Sequence, residues 1–397
     1  MIMDWWCEMS RLCITLSPFS PDYSGASAVF YDLNAVIVLH DASGCTGNYT
    51  GYDEPRWYGS QKAVYCSGLR ELDAILGDDD KLVRRTLAAA ECVRPEVIAV
   101  MGSPVPMVIG TDMVGIAAEL EQSSGIPAFG FNTTGLKYYN HGVSQAFLAL
   151  AKRFTAKTDK QVAGSVNILG LTPMDYGLEE NAQDLRRYLT QSGWQVLASF
   201  MMGGSLDEIK QAAGASVNLV VAQSGLELAL WMEEQFAIPY VVYTPIGDGG
   251  EVNRYLREAA YQRQNRVVHI DADNGLGRLL IIGEQVMANS LRHELTARFG
   301  LEDIVVGCLF GRDERLAQPH DLDLPDEAAI RQAINDRHHQ AILADPLLQQ
   351  LIQNPEKHRF YALPQAAVSS KLYWKEIPRY LSPALTELMK TIAKETR

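Results

Sequence analysis

Two cysteines on short glycine-bearing stretches carry the most evident chemistry in this sequence. Cys45 lies in His40-Asp41-Ala42-Ser43-Gly44-Cys45-Thr46-Gly47-Asn48, and Cys66 opens Cys66-Ser67-Gly68-Leu69-Arg70-Glu71. Two thiolates on adjacent loops can hold an iron–sulfur cluster, and glycines such as Gly44 let backbone approach a bulky inorganic group. The same spacing is also compatible with two half-buried packing cysteines, because Cys is among the residues most often buried. His40 is either a structural histidine beneath the loop or a proton-transfer group.

These loops need strands to hold them. The apolar, β-branched run Ala35-Val36-Ile37-Val38-Leu39 precedes His40 and reads as a buried strand. Its C-terminal end is where open α/β sheets place ligands. A second such end is Glu96–Met101 followed by Gly102-Ser103-Pro104. Residues 1–25 show no clear periodicity, and Leu16–Gly25 is rich in turn formers. Lys81–Val93 has helical spacing, which predicts core positions for Leu82, Leu87, Ala90, Cys92 and Val93. Strand–helix alternation continues to Phe154, restarts at Val166 after a polar linker at 155–164, and restarts again at Leu279. Repeated alternation builds parallel sheets with right-handed crossovers. The expectation is α/β, with three Rossmann-like domains at 1–160, 161–250 and 251–397. The third carries the C-terminal helices of the tail, Tyr373–Arg397.

Composition excludes several classes. The chain has 397 residues, 47% hydrophobic and 21% charged, as in soluble globular proteins. A formal net charge of -13 with no dense Lys/Arg cluster argues against nucleic-acid binding. No apolar run is long enough for a membrane helix. The start lacks a basic n-region, so a cytoplasmic protein with reduced thiols is expected. Cys7 and Cys13 read as bystanders. Gly247-Asp248-Gly249-Gly250 and Gly275-Leu276-Gly277 do not complete a dinucleotide fingerprint. No phosphate loop and no G-x-S-x-G elbow occur, so neither ATP hydrolysis by this chain nor serine hydrolase chemistry is expected. His338-His339 falls on a predicted helix and reads as solvated.

The segment His40-Asp-Ala-Ser-Gly-Cys45 and the segment Cys66-Ser-Gly-Leu-Arg-Glu-Leu-Asp-Ala-Ile-Leu-Gly-Asp-Asp-Asp-Lys-Leu82 together resemble component 1 of the nitrogenase superfamily. There a H-G-P-x-G-C loop precedes a D-x-x-E-x-D-x-x-F-G-G-x-x-K-L segment. Glu96–Val105, Ile109-Gly110-Thr111-Asp112 and Gly125-Ile126-Pro127 continue the likeness, which extends weakly through Ile238-Pro239-Tyr240 and Ile246-Gly247. Relatives include molybdenum nitrogenase subunits, their cofactor-assembly scaffold, light-independent protochlorophyllide reductase and the nickel-tetrapyrrole reductive cyclase. The resemblance implies three Rossmann-like domains and a dimer with an interfacial iron–sulfur cluster, here a 4Fe–4S cluster. It also implies an ATP-driven, nitrogenase-reductase-like iron protein as electron donor.

This sequence departs from that pattern. Of three cluster cysteines per subunit, Cys45 fills the middle position. The first falls near Pro21-Asp22 and the third at Ser103. The segment Val220–Ser224 lacks the cysteine, and Pro364–Trp374 lacks the histidine, that an iron–molybdenum cofactor needs. The resemblance therefore implies a nitrogenase-like oxidoreductase subunit acting on a substrate other than dinitrogen. Cys66 stands where the usual subunits place no ligand; the cofactor-site residues expected here are His40, Gly44, Cys45, Cys66 and Ser103, with Cys45 and Cys66 as metal ligands. It would work as a homodimer or as a heterodimer with a paralogous subunit. The alternatives are a scaffold holding a metal cluster or tetrapyrrole during assembly, and a non-redox α/β binding protein.

Overall fold

A computed structural model describes residues 13–158, 160–268, 277–336 and 338–396. Cys7 and most of Gly275-Leu276-Gly277 lie outside the described residues. Three parallel sheets follow one another along the chain, each wrapped by helices.

The first sheet contains β1 (Ala35–Leu39), β2 (Ala63–Cys66), β3 (Val97–Met101) and β4 (Ala128–Phe131), in the order β2-β1-β3-β4. Every residue of β1 and β3 is buried, which is why both are unbroken apolar runs rather than alternating ones. Leu39 registers beside Cys66 on one side and beside Met101 on the other. The loops carrying Cys45, Cys66 and Ser103 therefore leave the sheet at one level. The order reverses between β1 and β3, so their loops flank the crevice where such sheets bind ligands.

The second sheet contains β5 (Ser165–Leu169), β6 (Gln195–Ser199), β7 (Val217–Val220), β8 (Tyr240–Val242) and β9 (Arg266–Val267), ordered β6-β5-β7-β8-β9. Its last strand lies past residue 250, on the far side of the predicted division. The third sheet contains β10 (Leu279–Gly283), β11 (Ile304–Cys308), β12 (Leu322–Asp323), β13 (Ala341–Ala344) and β14 (Arg359–Ala362), ordered β12-β11-β10-β13-β14.

The turn-rich lead-in segment contains a helix the sequence did not reveal, Asp22–Tyr31, all ten of whose residues are buried. A helix buried all round has no polar face, hence no amphipathic period. It packs on the helix Tyr139–Phe154 so closely that a Cβ at Gly25 would lie 2.0 Å from the Tyr139 carbonyl oxygen, and one at Gly142 1.9 Å from that of Asp22. Three further expectations are corrected. Cys92 is exposed, because the helix Asp79–Val93 turns Leu82, Val83, Thr86 and Ala90 inward and Cys92 stands some 200° round from Ala90. His338 and His339 follow the helix Glu327–Ile334 rather than lying on it. His339 is buried, held by the Gly277 carbonyl. The tail is helical only over Pro383–Thr396 and a short turn at Trp374–Glu376.

Candidate functional site

Cys45 sits on a short helix, Gly44–Asn48, that runs on into a π-helical turn, Tyr49–Asp53. The wide turn is closed by Glu54 N–H donating to the Tyr49 carbonyl, 2.9 Å. Such turns often mark functional sites. Asp53 anchors the stretch to the buried helix below it. Its carboxylate accepts from Ser20 Oγ (2.9 Å), Ser24 Oγ (2.6 Å) and Asn48 Nδ2 (2.7 Å). Burial nevertheless pushes this carboxyl up to about 6. Just beyond it, Arg56 pairs with Glu54 (2.7 Å) and Asp32 (2.8 Å), and Asp32 also accepts from the Met202 N–H of the second sheet's loops.

The Cys45 side chain faces a cavity of about 790 Å³. One part of its wall comes from the β1 loop and the following helix, and another from Leu347 and the tail segment Val368–Leu372. Burial raises the Cys45 thiol above the ordinary cysteine range, and the neighbouring Asp41 carboxylate adds to this. The Tyr23 and Ser103 hydroxyls, within hydrogen-bonding reach of the sulfur, oppose it. The structure thus converges the three positions where the resemblance puts cluster cysteines. Pro21 lines the cavity, Cys45 faces it, and Ser103 lies against the Cys45 sulfur.

The remaining expected residues sit behind this surface. Cys66 Sγ donates to the Asp41 carbonyl and accepts from Gly68 N–H, each 3.3 Å, so its thiol is engaged with the back of the Cys45 loop. His40 is buried. Its Nδ1 lies 2.8 Å from Ser67 Oγ, its carbonyl accepts from Ser103 Oγ (2.8 Å), and burial lowers its pKa. Those contacts favour the structural role for His40. Gly44 lines the cavity, and a Cβ there would meet nothing within 4 Å.

A four-iron cluster takes about four protein ligands. One chain turns a single thiol into the cavity, and no group of three or more His, Cys, Asp or Glu among the described residues could hold a metal ion. A cluster fits here only if a second subunit supplies further ligands.

The switch points of the other two sheets behave differently. Val221 after β7, Glu284 after β10, and Pro364 and Gln365 after β14 meet Asp175 around a cavity of about 20 Å³. That is room for roughly one water. Both stretches that lack the ligands an iron–molybdenum cofactor needs therefore reach this junction, which has no room for such a group. Asp175 is hydrogen-bonded by the Tyr139 and Thr172 hydroxyls, while Glu284 caps the helix Gln285–Phe299 and accepts from Gln223 N–H. Burial and the Glu284 charge raise the Asp175 carboxyl.

Residues 21–260 match the family described as nitrogenase component 1 type oxidoreductase. This chain belongs to that family. It is 28% identical over 263 residues to the nitrogenase iron-molybdenum cofactor biosynthesis protein NifE of Clostridium pasteurianum, covering 64% of this chain and 56% of NifE. It is 28% identical over 205 residues to the nitrogenase molybdenum-iron protein alpha chain of the same organism, covering 50% and 37%. A third relative is a light-independent protochlorophyllide reductase subunit of Chlorobium chlorochromatii, 30% identical over 158 residues, covering 38% and 28%. The chain thus spans about half or less of these relatives' lengths. Among solved structures, one titled "Nitrogenase Cp1 at pH 6.5" superposes with a TM-score of 0.68 over 97% of this chain and 90% of that one, at 16% identity, a likeness of fold. Among the described residues no helix is long and apolar enough to cross a membrane.

Sequence reasoning missed Tyr23, Asp53 and the tail segment Val368–Leu372. Tyr23 lies in the turn-rich stretch Leu16–Gly25 and Asp53 just beyond the Cys45 loop, neither with a neighbour in sequence to give it meaning. The tail carries no local signal, because it reaches Cys45 only through the packing of the third domain.

Proposed function

We propose that this chain is one subunit of a nitrogenase-like reductase, with an iron–sulfur cluster shared across a subunit interface and Cys45 as its central ligand here. The observation that carries the reading is the Cys45 thiol, placed at the β1/β3 switch point and facing an open cavity, with the two other cluster positions of the family beside it. Such a cluster supplies one-electron transfer at low potential. The chain's own residues set its surroundings. Tyr23 and Ser103 offer hydroxyls to the sulfur, and Asp41 places a negative charge near it. A two-fold axis at this surface would repeat each residue once, so Cys45 and Cys66 could together furnish four thiolates. Cys66 would have to release the Asp41 carbonyl to take part.

Electrons come in this reading from an ATP-dependent iron protein. The helix Glu71–Leu76, just after Cys66, leaves Leu72, Ile75 and Leu76 exposed beside the acidic Glu71, Asp73 and Asp78. An apolar face rimmed by charge suits a transient, salt-sensitive contact. The test is stopped-flow mixing of this protein with a nitrogenase-reductase-like iron protein and MgATP, without other reductant. Bleaching of visible absorption that requires ATP and weakens with salt is expected. Absence of transfer with active iron protein would sink the redox reading. The scaffold reading is favoured by the NifE likeness alone, and a scaffold would release its iron to an acceptor protein rather than turn over.

A further inference from the structure

We propose that Asp175 holds a proton that latches the meeting point of the three sheets, and that its loss loosens the tail segment walling the Cys45 cavity. The latch needs only this chain's own groups, so it stands apart from the cluster reading.

Three parts of the chain converge on Asp175. It lies on the short helix Pro173–Tyr176, after β5. Tyr139 reaches it from the helix that follows β4, Gln365 from the end of β14, and Glu284 lies across the shared cavity, at the end of β10. Asp175 and Glu284 are each only 3% exposed, and that cavity has room for about one water. Among the described residues no Lys, Arg or His lies within ion-pair distance of either carboxyl. Two charges left together with so little water repel strongly.

The hydrogen bonds decide which group keeps the proton. Glu284 accepts three backbone N–H groups, from Gln223 (2.8 Å), Val286 (3.1 Å) and Met287 (2.8 Å). It also caps the positive end of the helix Gln285–Phe299. An N–H can only donate, so this setting suits a carboxylate. Burial raises Glu284, and those donors oppose it. Asp175 instead meets the Thr172 hydroxyl (2.8 Å), the Tyr139 hydroxyl and, at 3.4 Å, Gln365 Nε2. Hydroxyls accept as well as donate, so they tolerate a protonated acid. Burial and the Glu284 charge both push Asp175 up. Tyr380 and Tyr176 also face this point, and Asp345, at the end of β13, faces Tyr380 with a further negative charge.

Gln365 ties the latch to the cavity wall. Its side chain reaches Asp175, its N–H donates to Asp345 (2.7 Å), and its carbonyl accepts from the Val368 (3.0 Å) and Ser369 (3.1 Å) N–H groups. It thereby starts the short helix Ala366–Ser369, which leads into the Val368–Leu372 wall. A carboxyl protonated in the closed junction and ionised in the open one favours closure fully below its ordinary 3.8. That closure is lost as pH rises toward the raised value, one proton giving about tenfold per pH unit.

The test is hydrogen–deuterium exchange of the full chain at pH about 6.5 and about 7.5, corrected for intrinsic rates. Both lie above the value of about 6 for Asp53, so that group contributes little. Wild-type protection of peptides covering 171–178 and 363–372 should fall about tenfold over this interval. Asp175→Asn cannot ionise and should lack the fall. The infrared C=O band of protonated carboxylic acid should be weaker in the variant, and in wild type should fade over the pH range in which protection is lost. That wild-type titration carries the test if the variant does not fold. Flat wild-type protection, equal pH dependence in the two proteins, or an infrared band unchanged by the substitution overturns the proposal. A fall confined to 171–178 overturns the link to the cavity wall.

Discussion

Asp53→Asn isolates the buried carboxyl beneath the Cys45 helix. In the fold this group titrates near 6, against an ordinary value of 3.8. A carboxyl raised by folding contributes stability that is fully present below the unfolded value and lost as pH rises through the folded one. Worked from those two values, the loss between pH 5 and pH 7.5 is about 1.4 kcal/mol, or roughly tenfold in an opening equilibrium. The amide keeps the shape and cannot ionise, so the variant lacks this loss. Hydrogen–deuterium exchange of peptides covering 44–58 reads the local opening, with protection corrected for intrinsic exchange rates. Wild-type protection should fall about tenfold more than the variant's over that pH interval. Equal pH dependence in the two proteins would show that Asp53 does not ionise out of water, and the account of this anchor would be wrong.

Gly142→Ala should lower the melting temperature, with a cost of roughly 3 kcal/mol from forcing apart two packed helices, because its Cβ would lie 1.9 Å from the Asp22 carbonyl oxygen. Ser103→Ala should cost about 1–3 kcal/mol in chemical unfolding, since the buried His40 carbonyl loses its side-chain donor. Cys66→Ala should cost only about 0.5–1 kcal/mol. If Cys66 is a ligand in a two-fold site, that change also strips most of the iron. Full retention of iron by Cys66→Ala would limit this chain's thiolate contribution to Cys45.

The strands that carry the site were readable because β1 and β3, like β10 and β11 elsewhere, are short, fully buried, largely apolar runs, and parallel strands covered on both faces have that form. Caps made several helix limits legible. Asp112 caps Met113–Ser124, Gly125 ends it in a left-handed turn, and Asp326 starts Glu327–Ile334. The short edge strands β2, β12 and β14 were not legible. They are two to four residues long and only partly buried. Asp22–Tyr31 was hidden by its uniform burial. The apolar face of Asp79–Val93 is narrower than the spacing suggests, which leaves Cys92 outside it. At the site, Cys45 was found from its glycine-flanked position after β1. The cavity it faces is closed by a tail segment whose Ser370 bonds Tyr52 across 318 positions of sequence, which no local pattern announces.

The central claim is that Cys45 holds a cluster shared between subunits. Its most direct measurement is iron and acid-labile sulfide per chain in anaerobically purified wild type and Cys45→Ala, alongside the visible spectrum. The account predicts about two irons per chain in a dimer, four per shared cluster, with visible thiolate-to-iron absorption, and loss of most of both in a folded Cys45→Ala protein. Wild-type protein with neither iron nor visible absorption, or a Cys45→Ala variant with undiminished iron, would contradict it.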